Sequence, residues 1–319
     1  MNSKPFTMQL ITDIDIIQQE LLPPSVATIG FFDGVHRGHR FLIEQVLHQA
    51  QERGLSSMLI TFPVHPRRVM QTDYQPRLLS TFDEKCALLS HTGADVCVAL
   101  PFTRELAALS ARDFMQQVLR DRLHVQVLVI GYDHRFGHNR AEGFEDYVRY
   151  GREMGIEVLR AEAYLPDDVN VSSSFVRACL GEGDMEMASR CLGYDYALEG
   201  RVIGGQQIGR TLGFPTANIE VDDPLKLIPA DGVYAVRVHL GDDIYKGMLN
   251  IGCRPTIDDD THRTIEVHLL RFEGNLYHKH LRIEFIRRIR EERRFDNREA
   301  LARQLQLDAE ACLQEEFTI

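Results

Sequence analysis

Two periodicities alternate along the first half of the chain. Val26 to Phe32 is an apolar run of strand length, and Phe41, Leu42, Val46, Leu47 and Ala50 then recur at helical spacing until Gly54 offers a C-cap. The pattern repeats. Ser57 to Phe62, Val96 to Leu100, Val125 to Ile130 and Ile156 to Leu159 predict strands, and Thr81 to Leu89, Ser110 to Arg120 and Phe144 to Met154 predict helices. The first of these helices opens with capping-box spacing, Thr81-Phe82-Asp83-Glu84. A further helix starts in Val171–Arg177 and runs to about Leu180. Strands that alternate with helices imply a mostly parallel, doubly wound α/β sheet, whose ligands gather beyond the carboxyl ends of the strands.

From about Gly193 the pattern changes. Glycines become frequent, and Gly232 to Leu240, Ile244 to Ile251, Thr264 to Leu270 and Leu281 to Ile289 alternate as antiparallel strands do. Ile265, Val267 and Leu269 set against Glu266, His268 and Leu270 describe a half-buried strand with one face free for chemistry. Asp296 to Glu299 has capping-box spacing, and Leu301, Leu305 and Cys312 mark the inner stripe of a last helix. The expectation is a small, mainly β, antiparallel barrel closed by a C-terminal helix. No internal repeat or low-complexity linker marks the join. The change of pattern falls within Gly183–Glu199, which predicts domains at 1–186 and 187–319.

With 319 residues, 44% hydrophobic and 26% charged, core size is not limiting. A net charge of −11 argues against a nucleic-acid surface and disfavours anionic substrates at long range, so a phosphate site needs local cations or a metal. Arg37, Arg67, Arg68, Arg135, Arg140, Arg177 and Arg210 fall in or near the loops beyond the predicted strands. The six cysteines are scattered without a C-x-x-C pair and read as reduced thiols. The N-terminus lacks a signal-peptide pattern, and no apolar run approaches the roughly 20 residues that span a bilayer. These features predict a soluble cytoplasmic protein with small-molecule substrates and no membrane partner, a monomer or weak homo-oligomer.

Candidate chemistry concentrates in two stretches. Gly30-Phe31-Phe32-Asp33-Gly34-Val35-His36-Arg37-Gly38-His39 is a strand-to-helix turn, which aims backbone N–H groups and the positive end of a helix dipole beyond the strand. If the helix begins near His36, then His36 and His39 share its face, Gly38 lets a ligand approach the backbone, and two imidazoles can grip an ATP phosphate. An isolated H-x-x-H more often caps a helix, but this one comes with Gly30, Asp33, Gly34 and Gly38 after the first strand of a β/α series. Phe62 to Arg68 and Gly131 to Gly137 follow two other strands. The serines at 172, 173 and 174 open a helix, where such residues usually serve as N-caps. In the second stretch, Gly209-Arg210-Thr211-Leu212-Gly213-Phe214-Pro215-Thr216-Ala217-Asn218, glycines permit a tight loop near phosphates. Thr216 and Asn218 offer the hard oxygens that Mg²⁺ prefers, although such clusters are often plain turns.

The first stretch resembles the H-x-G-H signature of nucleotidylyltransferases, in the longer form G-x-F-D-G-V-H-x-G-H of bacterial bifunctional riboflavin kinase/FAD synthetases. Val171 to Arg177 resembles that family's I-S-S-T-x-x-R motif, with Ser174 where threonine is usual. The second stretch resembles the riboflavin-kinase motif G-R-x-L-G-x-P-T-A-N, which lacks the lysine of a Walker A loop; Gly247 to Thr256 and Thr264 to His268 are similar to later motifs. The resemblance covers nearly the whole chain in family order. It implies a Rossmann-like nucleotidylyltransferase domain followed by the kinase barrel. The barrel would make FMN from riboflavin with MgATP, and the first domain would make FAD and pyrophosphate from FMN and a second ATP. It also implies residue roles. His36 and His39 would be catalytic in adenylylation, with Gly30, Phe32, Asp33, Gly34, Gly38, Ser172, Ser173, Ser174 and Arg177 around ATP and His65, Asp133 and Phe136 holding flavin. In the kinase, Gly209, Arg210 and Gly213 would meet phosphates, Thr216 and Asn218 the Mg²⁺, Asn250 and Arg254 the flavin, and Glu266 would be the base. Two positions depart from the pattern, Val64 where proline is more usual and His134 where phenylalanine is common, and an imidazole at 134 stacks less apolar area on a flavin. A riboflavin kinase alone, or a non-catalytic flavin-binding regulator, would have no use for the full set His36, His39, Arg177, Thr216, Asn218 and Glu266.

Overall fold

The computed structural model describes residues 8–13, 22–71, 73, 75–132, 135–138, 141–164, 171–204, 209, 212–254 and 262–315, with backbone alone at 253, 254 and 262. Asp133, His134, Arg140, Arg210 and Thr256, together with the Arg254 side chain, lie outside the described residues. The chain forms two compact units, 1–172 and 173–319.

The first unit is built on parallel strands β1 (Gln9–Ile11), β2 (Ser25–Ile29), β3 (Ser56–Thr61), β4 (Val96–Ala99), β5 (Val125–Ile130) and β6 (Glu157–Arg160), in the order β1-β4-β3-β2-β5-β6. The central strands are buried almost throughout, as expected of a parallel sheet covered on both faces. Ala27, Ile29, Met58, Ile60 and Leu128 pack on one side against Ala111, Met115, Leu119 and Tyr147. Val26, Leu59, Cys97 and Val127 face the other side, which is covered by α1 (Arg37–Arg53) and α3 (Phe82–Ser90), with α2 (Pro66–Met70) between them in sequence. Strand order reverses at β2, because β3 and β4 extend to one side of it and β5 and β6 to the other. The crevice beyond the ends of β2 and β5 is therefore the topological switch point, where such sheets bind ligands.

Local chemistry explains the helices. Gly54 ends α1 in the left-handed conformation (φ 62°), its N–H directed at the carbonyls of Ala50 and Gln51. Thr81 and Glu84 close the expected capping box on α3, at 3.2 and 2.7 Å. The helix expected over 110–120 divides into α5 (Ala111–Phe114) and a π-helical turn, Met115–Arg120, that buries Met115, Val118 and Leu119. Short α4 (Arg104–Ala108) precedes it, and α6 (Phe144–Met154) follows β5.

The second unit opens with α7 (Ser173–Glu182) and α8 (Met185–Leu192). α7 bonds to the barrel: Leu180 O accepts from Ala230 N at 2.9 Å, and Glu182 O from Arg288 at 3.3 Å. Strands β7 (Ala197–Ile203), β8 (Ala217–Val221), β9 (Gly232–Leu240), β10 (Asp243–Arg254), β11 (His262–Leu269) and β12 (His280–Arg290) close an antiparallel barrel in the order β10-β11-β8-β7-β12-β9. The last helix, α9 (Arg298–Gln314), is capped by Asn297, whose Oδ1 accepts from Ala300 N at 2.8 Å, rather than by Asp296. Ala309 and Cys312, with Leu305, pack on Val233, Met248 and Leu270. Leu270 thus leaves the face expected to be free, and Glu266 and His268 keep it. Arg290 pins α9 with a forked bond to buried Asp308 (3.0 and 2.7 Å), which Gln304 also meets at 2.7 Å.

Candidate active sites

The loop after β2 is strained and heavily braced. Phe32 (φ 53°) and Val35 (φ 36°) both take left-handed backbone around Gly34 (φ 73°), a conformation that non-glycine residues keep only when their surroundings impose it. Asp33, 3% exposed, accepts from Leu79 N at 3.0 Å and Ser80 N at 3.1 Å, and Gly34 N donates to Ser80 Oγ at 2.9 Å. Phe32 fills the core with Val35, Ile43 and Leu59. Both residues shape the loop that carries the histidines.

That shape delivers the histidines. His36 is the N-cap of α1, its Nδ1 accepting from His39 N at 3.3 Å, which leaves Nε2 as the donor edge of the neutral ring. The two imidazoles stack at 3.6 Å with 17° between planes, and Phe32 meets His39 edge-on at 5.3 Å. Gly38 makes the stack possible: a β-carbon there would lie 3.2 Å from the His36 ring and 3.2 Å from Val171 O.

Beyond β3, His65 caps α2 by accepting from Arg67 N at 3.1 Å, and its ring meets Phe31 at 4.6 Å. Lys85, which the sequence reading passed over, is buried beside them. Its signal was there: Phe82, Lys85 and Leu89 share one helical stripe, and a lysine on an inner stripe is unusual. Beyond β5, Tyr132 is exposed, whereas Phe136 is buried against Tyr147 (4.3 Å, 10°), whose hydroxyl donates to Phe136 O at 3.1 Å. Phe136 therefore anchors its loop in the core. Ser172 ends the first unit, and Ser173, Ser174 and Arg177 lie at the start of α7 in the second.

In the barrel, strand register assembles a row. Glu266 pairs with Asn218 across β11 and β8, and with Asn250 across β11 and β10. Directly opposed residues share a face, and Ala217, Ile219, Ile251 and Val267 are buried on the other side, so the three polar side chains stand together on the outside. Thr216, just before β8, donates through Oγ1 to Glu266 Oε2 at 3.1 Å. Pro215 O lies 2.7 Å from His268 Nδ1, tying the loop to β11. Gly209 closes the turn before it, its carbonyl accepting from Leu212 N and Phe214 N, and Gly213 takes φ 85°. Two cavities meet at Thr216. One of 260 Å³ is walled by Phe214, Met248, Phe295 and Leu305 with Asn250 and Glu266 at its polar side; the other, of 600 Å³, is bounded by Pro215, Phe272, Asn275 and Tyr277. Phe295 and the 272–277 turn carry no motif, so only the folded barrel reveals them.

Thr216, Asn218 and Glu266 supply hydroxyl, amide and carboxylate oxygens, a donor set that fits Mg²⁺. Comparison with known proteins agrees with the division into two sites. The family model described as FAD synthetase matches residues 18–175, and the one described as riboflavin kinase matches 192–315. The bifunctional riboflavin kinase/FMN adenylyltransferase of Escherichia coli K12 is 36% identical over 304 residues, covering 94% of this chain and 96% of its own. The protein of that name in Pseudomonas fluorescens is 37% identical over 287 residues, with 90% and 91% covered. A crystal structure described as a macrolide-efflux protein from Streptococcus pneumoniae matches with TM-score 0.87 at 27% identity, over 97% of this chain and 100% of that one. Its likeness extends the shared fold across both units.

Proposed function

The chain belongs to the bifunctional riboflavin kinase/FMN adenylyltransferases, and from that premise we propose which of its residues carry each reaction. It phosphorylates riboflavin to FMN and adenylylates FMN to FAD, with riboflavin, FMN and ATP as substrates.

For the kinase, Glu266 takes the proton of the ribityl 5′-hydroxyl as that oxygen attacks the γ-phosphate of ATP. Thr216 and Asn218 hold the Mg²⁺, which when bound offsets phosphate charge. The flat flavin ring suits the smaller, aromatic-walled cavity, and the nucleotide suits the larger one, so alcohol and phosphate meet at Thr216. Asn250 orients the flavin beside the base. The observation that carries this reading is the row Asn218–Glu266–Asn250 with Thr216 bonded to Glu266 where the cavities join. Glu266→Gln should lower kcat for FMN formation by about 10²–10⁴ while riboflavin still quenches in a fluorescence titration. A variant that turns over at the wild-type rate would remove Glu266 from the role. Chelation of divalent metal should stop FMN formation, and added Mg²⁺ should restore it.

For adenylylation, the FMN phosphate attacks the α-phosphorus of ATP in line, which needs no enzyme nucleophile. His36 and His39 donate to the ATP phosphates as charge collects on departing pyrophosphate, with Gly30, Gly34 and Gly38 shaping the loop. Two imidazoles stacked this closely repel if both are charged, and an anion beside them offsets the repulsion. Ser172, in the same unit, assists on the phosphates, and His65 borders the site. His36→Ala should let FMN accumulate and cut FAD formation by about 10²-fold or more. We place the protein in the cytoplasm, where its substrates are; no helix among the described residues is long and apolar enough to cross a membrane.

A further inference from the structure

The segment from Leu79 to Lys85 grips the histidine loop at two points. Near its start, Leu79 and Ser80 hold Asp33 and Gly34. At its end, on α3, Lys85 Nζ donates to the carbonyl of Phe31 at 3.1 Å and to that of Phe62 at 2.8 Å. Phe31 immediately precedes left-handed Phe32, and Phe62 opens the loop that carries His65. β2 and β3 are neighbours in parallel register, Ile29 beside Ile60, so one ammonium ties together two adjacent strand ends at the ligand-binding edge of the sheet. The same ammonium lies 4.0 Å from the centroid of the Phe31 ring, which in turn meets His65. Lys85 is 2% exposed, and a methionine in that slot would avoid the cost of burying a charge.

We infer that Lys85 is a positioning residue for adenylyl transfer, fixing the spacing between the His36/His39 loop and the His65 loop. The inference rests on the reading that these loops hold ATP. Burial has lowered the Lys85 ammonium to about 8, against the opposing pull of the Asp33 carboxylate and smaller contributions from Cys86 on its own helix and Cys97 on β4. Above that pH two charge-assisted hydrogen bonds become ordinary ones and the attraction to the Phe31 ring is lost, so the two loops are held less firmly.

The test measures both reactions separately on the full-length protein between pH 7 and 9.5, for wild type, Lys85→Arg, Lys85→Met and His36→Ala. The kinase reaction of the same chain is the internal control for assay conditions at each pH, and circular dichroism with thermal melts is the fold control for the first unit. Expected for wild type is a several-fold fall of adenylylation relative to kinase activity as pH passes 8. Lys85→Arg, whose charge does not titrate there, should lose that limb and stay within about threefold of wild type at pH 7.5. Lys85→Met should lower adenylylation kcat by about tenfold or more at every pH, with a smaller change in the KM for ATP and kinase activity retained. Lys85→Met adenylylating within twofold of wild type, or Lys85→Arg keeping the limb near pH 8, would overturn the inference. If Lys85→Met fails to fold, shown by its circular dichroism and thermal melt, the Lys85→Arg profile alone decides. An unimpaired His36→Ala variant would instead overturn the reading of the histidine loop, a separate failure.

Discussion

A β-carbon at residue 38 would press on the His36 ring and on Val171 O together, and neither a capping imidazole nor a backbone carbonyl yields freely. Gly38→Ala should unstack the histidines and lower adenylylation by about tenfold at a stability cost of about 1–3 kcal/mol, with FMN formation unchanged; parallel assays of the two products check it. Lys85 gives a prediction of opposite sign for stability. Its ammonium falls from the ordinary 10.5 to about 8 on burial, so the folded state releases its proton first. The penalty is complete below pH 8 and relieved as pH rises towards 10.5, a recovery of about 3 kcal/mol that Lys85→Met should lack in thermal melts across that window. The pairing of His36 with His39, and Glu266 on its half-buried strand, were legible because chemistry and spacing coincide there. That Phe32 and Phe136 pack into the core and that Asp33 braces its loop was not, because a motif does not say what a side chain packs against. Lys85 was legible as a lysine on an inner helical stripe, but the two strand ends that it holds appear only in the folded sheet.

Among the elements, α9 shows how a site wall can depend on one ion pair. Asp308 is 1% exposed and receives the Arg290 fork, while Leu301 and Leu305 of the same helix line the smaller barrel cavity. Asp308→Ala leaves Arg290 uncompensated and should destabilise the second unit by about 3–5 kcal/mol, with riboflavin affinity lost ahead of global unfolding. Calorimetry and flavin titration check the order. Most strands of the first unit were legible because buried parallel strands are continuous apolar runs. β1 was not, being three residues long; neither was β7, where Gly200 interrupts the alternation that usually marks a strand, nor β8, five residues that follow directly on a glycine- and proline-containing loop. Gly200 is there because a side chain would strike the Glu220 carbonyl across the β7–β8 pair, a constraint that exists only after closure. The π-helical turn likewise carries no local signature distinct from the helix it continues.

At the scale of the whole molecule, the histidine stack lies within one compact unit and the Thr216–Glu266 pair within the other. Neither reaction then needs both centres intact in one polypeptide. A mixture of His36→Ala and Glu266→Gln proteins should convert riboflavin to FAD although neither does so alone, with free FMN detectable in between. Failure of the mixture, with each variant still competent for its remaining step, would mean that FMN does not pass through solution. The two-domain order was legible from the change of periodicity, whereas the bond from α7 to Ala230 was not, since α7 reads as the close of the first pattern.

The two units also differ in how they finish their sheets. The barrel has no unpaired border, whereas the parallel sheet ends at β1 on one side and β6 on the other. β6 carries Glu157 and Arg160 at its ends, charges that discourage another chain from adding on. β1 is only Gln9–Ile11, and beneath it lies β4, Val-Cys-Val-Ala and buried throughout. A chain beginning after residue 11 would bare an apolar ladder ready to recruit strands from its neighbours. Chains trimmed there should precipitate in proportion to concentration, a hazard of self-association set by three residues far from either reaction.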